Sequence, residues 1–325
     1  MLFFIMILIS TMISISSTSW FGMWLGLEIN LLSIIPLMNS NINSLSNEAS
    51  LKYFIVQAIS STILLMSIIL MSNFFINNNS IIMMMNSSLL TKMGSAPFHF
   101  WFPEVMEGIS WFNSLIMLTW QKITPMILIM YNFNNYLFFS LIIIICLIIS
   151  GFMGINQISL RKILAYSSIN HLGWMIASMF YSQTIWKFYF IIYSIISLNI
   201  IILFYNLNIF YLKQLFLKIN NNFNLKFIFI LNFMSLGGIP PFLGFLPKWL
   251  VIQALINMKM LLMAFLMIIL TLLTLYFYMR LSFSTLIINI TQMNYKINKI
   301  NLIMPLILNF IILMSLNFML FFNLN

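Results

Sequence analysis

Four ionisable side chains lie inside long apolar stretches of the sequence: Glu28, Lys92, Lys122 and Lys248. A lysine that is withdrawn from water can give up its proton, because desolvation disfavours the charged form, whereas an arginine would stay charged. A carboxylate inside a membrane costs roughly 2.5 to 3.5 kcal/mol on insertion scales for comparable charges, so it needs a partner or a water-filled cavity. These residue types predict sites that bind and pass on protons, with the carboxylate adjusting the proton affinity of a nearby lysine.

Each of these residues also has a structural interpretation. Glu28 could form an ion pair that only holds two helices together, and each lysine could form an ion pair or extend its ammonium group to the membrane surface. Such an extension is implausible from the middle of a membrane, and three such lysines in one chain are hard to explain structurally. We therefore predict that the four residues form a proton relay.

A second set of polar residues could join the relay or line a water chain: His99, Ser167, Ser168 and His171. His99 is next to a predicted helix break, where it could instead cap a helix. His171 has serines and an asparagine nearby, and its alternative is a hydrogen-bonded core histidine. Glu104 and Glu107 lie near the end of the apolar stretch that contains Lys92 and are interpreted as carboxylates at the membrane surface.

Two of the lysines lie beside related motifs that interrupt apolar stretches. Positions 94–103 read Gly-x-x-Pro-Phe-x-x-Trp-Phe-Pro, and positions 238–247 align with them without gaps as Gly-x-x-Pro-Phe-x-x-Phe-Leu-Pro. Lys92 shortly precedes the first motif, and Lys248 directly follows the second. Proline lacks an N–H and disfavours helix at the residue before it, so each motif predicts a broken membrane helix. A buried charge beside a broken helix is typical of membrane proteins that handle ions.

The two lysines are expected to differ in their backbone surroundings. Lys92 lies in the last turn before a break, where unpaired carbonyls and the negative end of the helix dipole favour a cation. Lys248 follows Pro247 in the first turn after a break, where the positive end of the dipole disfavours one. We therefore expect Lys92 to point towards free carbonyls, and Lys248 to lack such partners and to face water or another relay group.

The composition predicts an all-α polytopic membrane protein. Of 325 residues, 62% are hydrophobic and only 6% charged, and the mean hydropathy is +1.07, whereas about a quarter of the residues of a soluble domain are charged. Apolar runs of roughly 20 residues predict about eleven membrane helices, of which the fourth and ninth are broken. Their predicted bounds are 2–18, 20–38, 50–72, 81–107, 112–132, 136–156, 160–181, 186–207, 226–257, 259–283 and 302–322. The first of these is expected to be retained, because it resembles no cleavable signal.

The basic residues predict the orientation in the membrane. Lys and Arg accumulate in loops on the side that does not cross the membrane. With the eleven helices above, the loops on the side of the N-terminus carry Arg161, Lys162, Lys213, Lys218, Lys226, Lys296 and Lys299. Lys187 and Lys259 fall on the opposite side. The N-terminus is therefore expected on the matrix or cytoplasmic side and the C-terminus across the membrane, and the net charge of +10 forms no cluster that would bind nucleic acid.

The positions of the breaks predict an internal repeat. Helices 4 and 9 are an odd number of crossings apart, so the two breaks enter the membrane in opposite directions, as in inverted-repeat transporters. The expected half-repeats are residues 1–132 and 133–283, followed by a loop and a final helix within 284–325. In this alignment Glu28 of the second helix corresponds to His171 of the seventh.

The chain is not expected to bind a redox cofactor or a metal ion. Cys146 is its single cysteine, it has two histidines, and it has no CxxC or HExxH spacing from which an iron–sulfur, haem or zinc site could be built. Any redox chemistry must belong to partner chains. The absence of aspartate and the 28 methionines indicate an AT-rich coding sequence and favour an organelle genome.

Several motifs carry a resemblance to a known family. They lie at positions 101–108 (Trp-Phe-Pro-Glu-Val-Met-Glu-Gly), 120–122 (Trp-Gln-Lys), 168–174 (Ser-Ile-Asn-His-Leu-Gly-Trp) and 235–249, around the second break. With them, nearly the whole chain resembles the antiporter-like subunit 2 family of mitochondrial NADH:ubiquinone oxidoreductase, respiratory complex I, most closely its arthropod members.

This resemblance implies a non-redox, proton-pumping subunit of an H⁺-translocating NADH:ubiquinone reductase in the mitochondrial inner membrane. It implies that NAD, FMN, iron–sulfur clusters and ubiquinone are bound elsewhere in the complex. The implied partners are inner-membrane lipids and other membrane-arm subunits, including neighbouring antiporter-like subunits. By position, the family's chain of charges falls on Glu28, Lys92, Lys122 and Lys248.

Two other functions share some of these features. A sodium/proton antiporter subunit would have both broken helices, although the organelle-like composition disfavours it. A scaffold subunit would keep the charged residues only to hold helices together. Neutralising the three lysines in the intact assembly separates the second alternative from proton pumping.

Overall fold

The structure is a computed structural model that describes residues 2–39, 43–73, 79–219 and 223–287. Within these ranges it contains fourteen α-helices and one isolated antiparallel bridge, between Ser159 and Tyr211. The helices group into two compact units that divide between Cys146 and Leu147. The predicted all-α class is confirmed.

The helices alternate between long spans and short segments. The first eight are α1 (Leu2–Ser16), α2 (Trp20–Met38), α3 (Ser44–Asn73), α4 (Asn79–Met93), α5 (Trp101–Gly108), α6 (Trp111–Leu118), α7 (Trp120–Tyr131) and α8 (Tyr136–Ile155). The other six are α9 (Leu160–Met179), α10 (Gln183–Leu207), α11 (Leu212–Ile219), α12 (Phe223–Gly237), α13 (Phe245–Asn257) and α14 (Leu261–Ile287).

The described residues contain six segments that are long and apolar enough to cross a membrane: α2, α3, α6 together with α7, α8, α10 and α14. The shorter apolar helices are α1, α12 and α13. A multi-pass membrane protein is thereby confirmed. The count of eleven crossings stays a prediction, and the helix predicted over 302–322 lies outside the described residues.

The fifth predicted helix is interrupted at Thr119, a break that was not predicted from the sequence. α6 ends at Leu118 and α7 begins at Trp120, with Thr119 between them at φ −114° and ψ −72°. The Thr119 hydroxyl donates to the carbonyl of Leu115 at 2.7 Å, a local bond that bends helices. Further along α7, Pro125 has no N–H for the carbonyl four residues before it, which is the carbonyl of Gln121. The helix is therefore irregular on both sides of Lys122.

Packing within the first unit places four helices around the first break. α3 packs against α2, α4 and α5, and α7 packs against α4 and α1. Residues of α2, α3, α4 and α7 can therefore share one interior space.

The second unit is organised around α9. All of its residues except Lys162 are buried, although it carries serines, an asparagine and a histidine. α9 packs against α10, α13 and α14. A helix buried on every side must satisfy its polar side chains inside the protein.

The short helix α11 has the pattern of a surface segment. Its Leu215 and Ile219 are buried, whereas Lys213 is exposed. The Lys218 ammonium group donates to the carbonyls of Leu207 and Asn208 at 2.5 and 3.0 Å, at the end of α10. This contact satisfies carbonyls that the end of a helix leaves without partners.

Candidate functional site

The structure breaks the first predicted helix between Met93 and Trp101. Gly94 has φ +69°, and its N–H donates to Thr91 while the N–H of Ser95 donates to Leu90. These two bonds form a Schellman motif, in which a residue in the left-handed conformation ends a helix. A side chain at position 94 would also place its Cβ 2.9 Å from the Cβ of Phe102, so glycine is needed for space as well as for conformation.

The second predicted helix breaks in the same way between Gly237 and Phe245. Gly238 has φ +75°, its N–H donates to Ser235, and the N–H of Ile239 donates to Met234. The two motifs aligned in the sequence thus give the same helix-ending geometry, each beside a buried lysine. Lys92, Lys122 and Lys248 are 7%, 1% and 6% exposed.

Lys92 lies in the last turn of α4, with Glu28 of α2 close enough for an electrostatic interaction. The backbone carbonyl of Lys92 accepts from Gln57 of α3 at 3.3 Å. Glu28 is half-buried, and its Oε1 has no hydrogen-bond partner among the described residues. The two side chains form no salt bridge in the described structure, so the carboxylate acts on the lysine through space.

Lys122 lies in the first turn of α7 and is buried against an aromatic ring. Its Nζ is 5.2 Å from the ring centroid of Phe102, within the range of a cation–π interaction. Phe102 is the side chain that the missing Cβ of Gly94 accommodates. The helix break therefore positions the ring on which the Lys122 ammonium group rests.

Lys92 and Lys122 line one cavity within the first unit. The cavity has about 20 Å³ of space for the centres of water molecules, and Tyr53, Gln57 and Thr124 contribute polar atoms to its wall. Roughly 10 to 15 Å³ by this measure holds one water. The space therefore suits about one water molecule in a cavity to whose wall both lysines contribute.

The expectation that Lys248 lacks carbonyl partners is wrong. Its Nζ donates to the carbonyl of Gly237 at 2.9 Å, in the last turn of α12, and lies 5.7 Å from the ring centroid of Trp174. Gly238 makes this possible, because a Cβ there would be 2.9 Å from Cδ and 3.0 Å from Nζ of Lys248. The lysine therefore folds back across the break.

The matching expectation for Lys92 is also wrong, since its Nζ has no hydrogen bond to a carbonyl among the described contacts. Side chains on a helix tilt towards its N-terminus. At the end of α4 this tilt directs Lys92 away from the free carbonyls, whereas at the start of α13 it directs Lys248 back to the carbonyl end of α12. The helix dipoles alone led to the opposite assignment.

The second predicted set lies largely on α9. His171 Nδ1 is 2.9 Å from the hydroxyl of Tyr189, and Tyr193 hydrogen-bonds to Ser168. Ser167 and Ser168 also donate to carbonyls of their own helix, those of Leu164 and Ala165.

These tyrosine partners were not predicted from the sequence. Tyr189 and Tyr193 are four residues apart on α10 and therefore share a face of this helix. This spacing is the one feature of the sequence that could have indicated them as partners. Trp174 lies one turn after His171 on α9, so Lys248 contacts the helix that carries His171.

His99 lies within the first break and Glu104 just after it, and the two residues differ in exposure. His99 is buried, and its Nδ1 is 3.3 Å from the carbonyl of Pro97. Glu104 is exposed and forms a 2.8 Å ion pair with Lys52, which also pairs with Glu48 at 2.9 Å. Exposed pairs of this kind are screened by solvent and contribute little to stability.

Buried lysines beside two broken helices define a polytopic membrane protein of the ion-translocating class. The sequence model of the family described as "NADH:quinone oxidoreductase/Mrp antiporter, TM" matches residues 17–274. NADH-ubiquinone oxidoreductase chain 2 of Aedes aegypti is 52% identical over 326 residues, covering 97% of this chain and 95% of that protein. The protein of the same name from Anopheles gambiae is 50% identical, covering 95% and 94%. The chain therefore belongs to this family and, within it, to the group of NADH-ubiquinone oxidoreductase chain 2 proteins.

Solved structures share the fold at low sequence identity. A chain of respiratory complex I from Thermus thermophilus superposes with a TM-score of 0.85 at 19% identity, covering 96% of this chain and 76% of that one. A chain of the membrane-bound sulfane sulfur reductase, an archaeal respiratory membrane complex, gives 0.81 at 16% identity, covering 99% and 73%.

Proposed function

We propose that the chain translocates protons as a core membrane subunit of respiratory complex I in the mitochondrial inner membrane. Electron transfer from NADH to ubiquinone, which takes place in other subunits, drives this transport. The observation that carries the proposal is the cavity that Lys92 and Lys122 share, with Glu28 close to Lys92. Two titratable groups around a space for one water are the arrangement that stepwise proton transfer requires.

The mechanism is alternate loading of Lys92, Lys122 and Lys248 through buried water. Glu28 changes the proton affinity of Lys92 through space and couples it to a neighbouring membrane-arm subunit. Moving one proton against the membrane potential costs about 2.3 kcal/mol per 100 mV. Redox-driven changes around a lysine must alter its proton affinity by a comparable free energy.

The inverted repeat is part of this proposal. Residues 1–132 and 133–283 form the two half-repeats. The same Schellman motif at Gly94 and at Gly238, each at a break beside a lysine, supports this assignment.

Replacing Lys92, Lys122 and Lys248 together by methionine tests the function. The proton-to-electron ratio of the assembled complex in closed membrane vesicles should fall, because the titratable groups of this subunit are gone. Lys52→Met is the matched control, since Lys52 is an exposed lysine outside the cavity. An unchanged ratio in the triple variant would support the scaffold alternative.

The orientation can be tested with cysteine labelling. Lys213 of α11 should face the matrix and Lys259 the intermembrane space, and both are exposed. A membrane-impermeant maleimide added to mitoplasts should label Lys259→Cys and spare Lys213→Cys, with the reverse result in inverted vesicles. Labelling of Lys213→Cys in mitoplasts would show that the predicted helix count is wrong.

A further inference from the structure

An amide pair forms part of the wall of the cavity between Lys92 and Lys122. Gln121 of α7 donates from Nε2 to Oδ1 of Asn30 of α2 at 2.9 Å, and both residues line the cavity. Asn30 is two residues after Glu28, and Gln121 directly precedes Lys122. The bond therefore joins the helix of the carboxylate to the helix of the second lysine.

The remaining polar atoms of this pair suit a water molecule. The bond uses Nε2 of Gln121 and Oδ1 of Asn30. The other two side-chain atoms, Oε1 of Gln121 and Nδ2 of Asn30, have no hydrogen-bond partner among the described residues. The Thr124 hydroxyl, at the same cavity, is buried and has no hydrogen-bond partner in the described part of the chain. A buried water needs two to four polar partners, and a cavity lined by apolar groups stays dry.

We propose that the Asn30–Gln121 pair keeps this cavity hydrated and so permits proton exchange between Lys92 and Lys122 through one water. The ammonium group of one lysine gives a proton to the water, and the water gives one of its own protons to the neutral amine of the other. The water is regenerated and one positive charge has moved. Amides neither gain nor lose protons at physiological pH, so the pair affects how fast protons pass between the lysines and does not itself hold a proton. The inference rests on the proposed function.

Gln121→Met is the direct test, because methionine has a similar length and removes both polar groups. In the assembled complex, in closed vesicles, the rate of proton translocation should fall by about tenfold, the effect of losing one hydrogen bond to a migrating charge. The solvent deuterium isotope effect should rise, since proton transfer becomes rate-limiting. A purely structural defect lowers the amount of complex without raising the isotope effect. Asn30→Leu should give the same result from the other side of the pair.

Asn113→Leu is the matched control. Asn113 also links its helix to α2 through an amide, from Nδ2 to the carbonyl of Leu37 at 2.7 Å, but it lies outside the cavity wall. The control should leave the isotope effect unchanged. The double variant Asn30→Gln with Gln121→Asn, which keeps one amide of each length, should recover most of the rate.

Three outcomes would overturn the inference: a normal rate and isotope effect in both single variants, an equal change in Asn113→Leu, or failure of the exchanged pair to recover any rate. It is also possible to decide the question if neither single variant assembles but the double variant Asn30→Gln with Gln121→Asn does. Unchanged turnover and isotope effect in that double variant support the inference, and a raised isotope effect overturns it. Lys122→Met measured in parallel separates a failure of the proposed function from a failure of the role proposed for the amide pair. Normal pumping there would refute the proposed function, whereas a defect there with normal Gln121→Met refutes the amide pair alone.

Discussion

Lys122→Met should slow proton translocation through this subunit by at least about 100-fold, the lower range of what one positioned acid–base group contributes. Lys122→Arg should recover little of this, because the guanidinium group keeps its charge but cannot release a proton at physiological pH. The measurement is proton uptake by closed vesicles that contain the assembled complex during NADH oxidation.

Phe102→Leu is the control for this prediction. It removes the ring beneath the ammonium group and keeps the titratable lysine. The lost cation–π interaction is worth about 0.5 to 2 kcal/mol, and pumping should stay measurable. Full pumping by the arginine variant would assign Lys122 the role of a fixed charge.

Gly244→Ala should prevent the second unit from folding normally. A Cβ at this position would lie 1.7 Å from the backbone oxygen of Ser235, which is in the last turn of α12. Overpacking typically costs about 1 to 3 kcal/mol. The expected cost here is larger, because a backbone atom cannot move to another rotamer. The amount of assembled complex on native gels, and its half-life on heating, should both fall sharply.

Gly237→Ala is the matched control for this steric argument. A Cβ there would meet the ring of Tyr278 at 3.6 Å and the side chain of Leu275 at 3.9 Å, which are ordinary contacts. Near-normal assembly is expected. Equal loss of assembly in the two variants would show that the break tolerates no change at all, and would remove the specific role of Gly244.

The sequence predicted the backbone better than the side chains. Proline and glycine at each break have local conformational consequences, so the places where the helices end could be read directly. The interruption at Thr119 was missed because a threonine hydroxyl that bonds to the carbonyl four residues earlier leaves no distinctive pattern in the sequence. The carbonyl partners of Lys92 and Lys248 were reversed because only the helix dipoles were weighed, without the direction of each side chain.

The cavity and its polar wall could not be predicted, because they depend on packing between helices distant in sequence. Asn30 and Gln121 are ninety-one residues apart, and no local pattern connects them. Tyr189 was likewise hidden among many aromatic residues that read as lipid-facing surface. Its contact with His171 became visible only once α9 and α10 were placed side by side.

The contact between Lys248 and Gly238 links the two positions in evolution. As long as the lysine folds back over position 238, a side chain there displaces the flexible end of the lysine, so replacing the glycine also moves the ammonium group. Loss of the lysine would remove this contact and leave only the conformational preference at φ +75°, which asparagine also tolerates. A lineage that carries a side chain at position 238 is therefore expected to have moved or lost the lysine as well, and the two positions should be compared together among species.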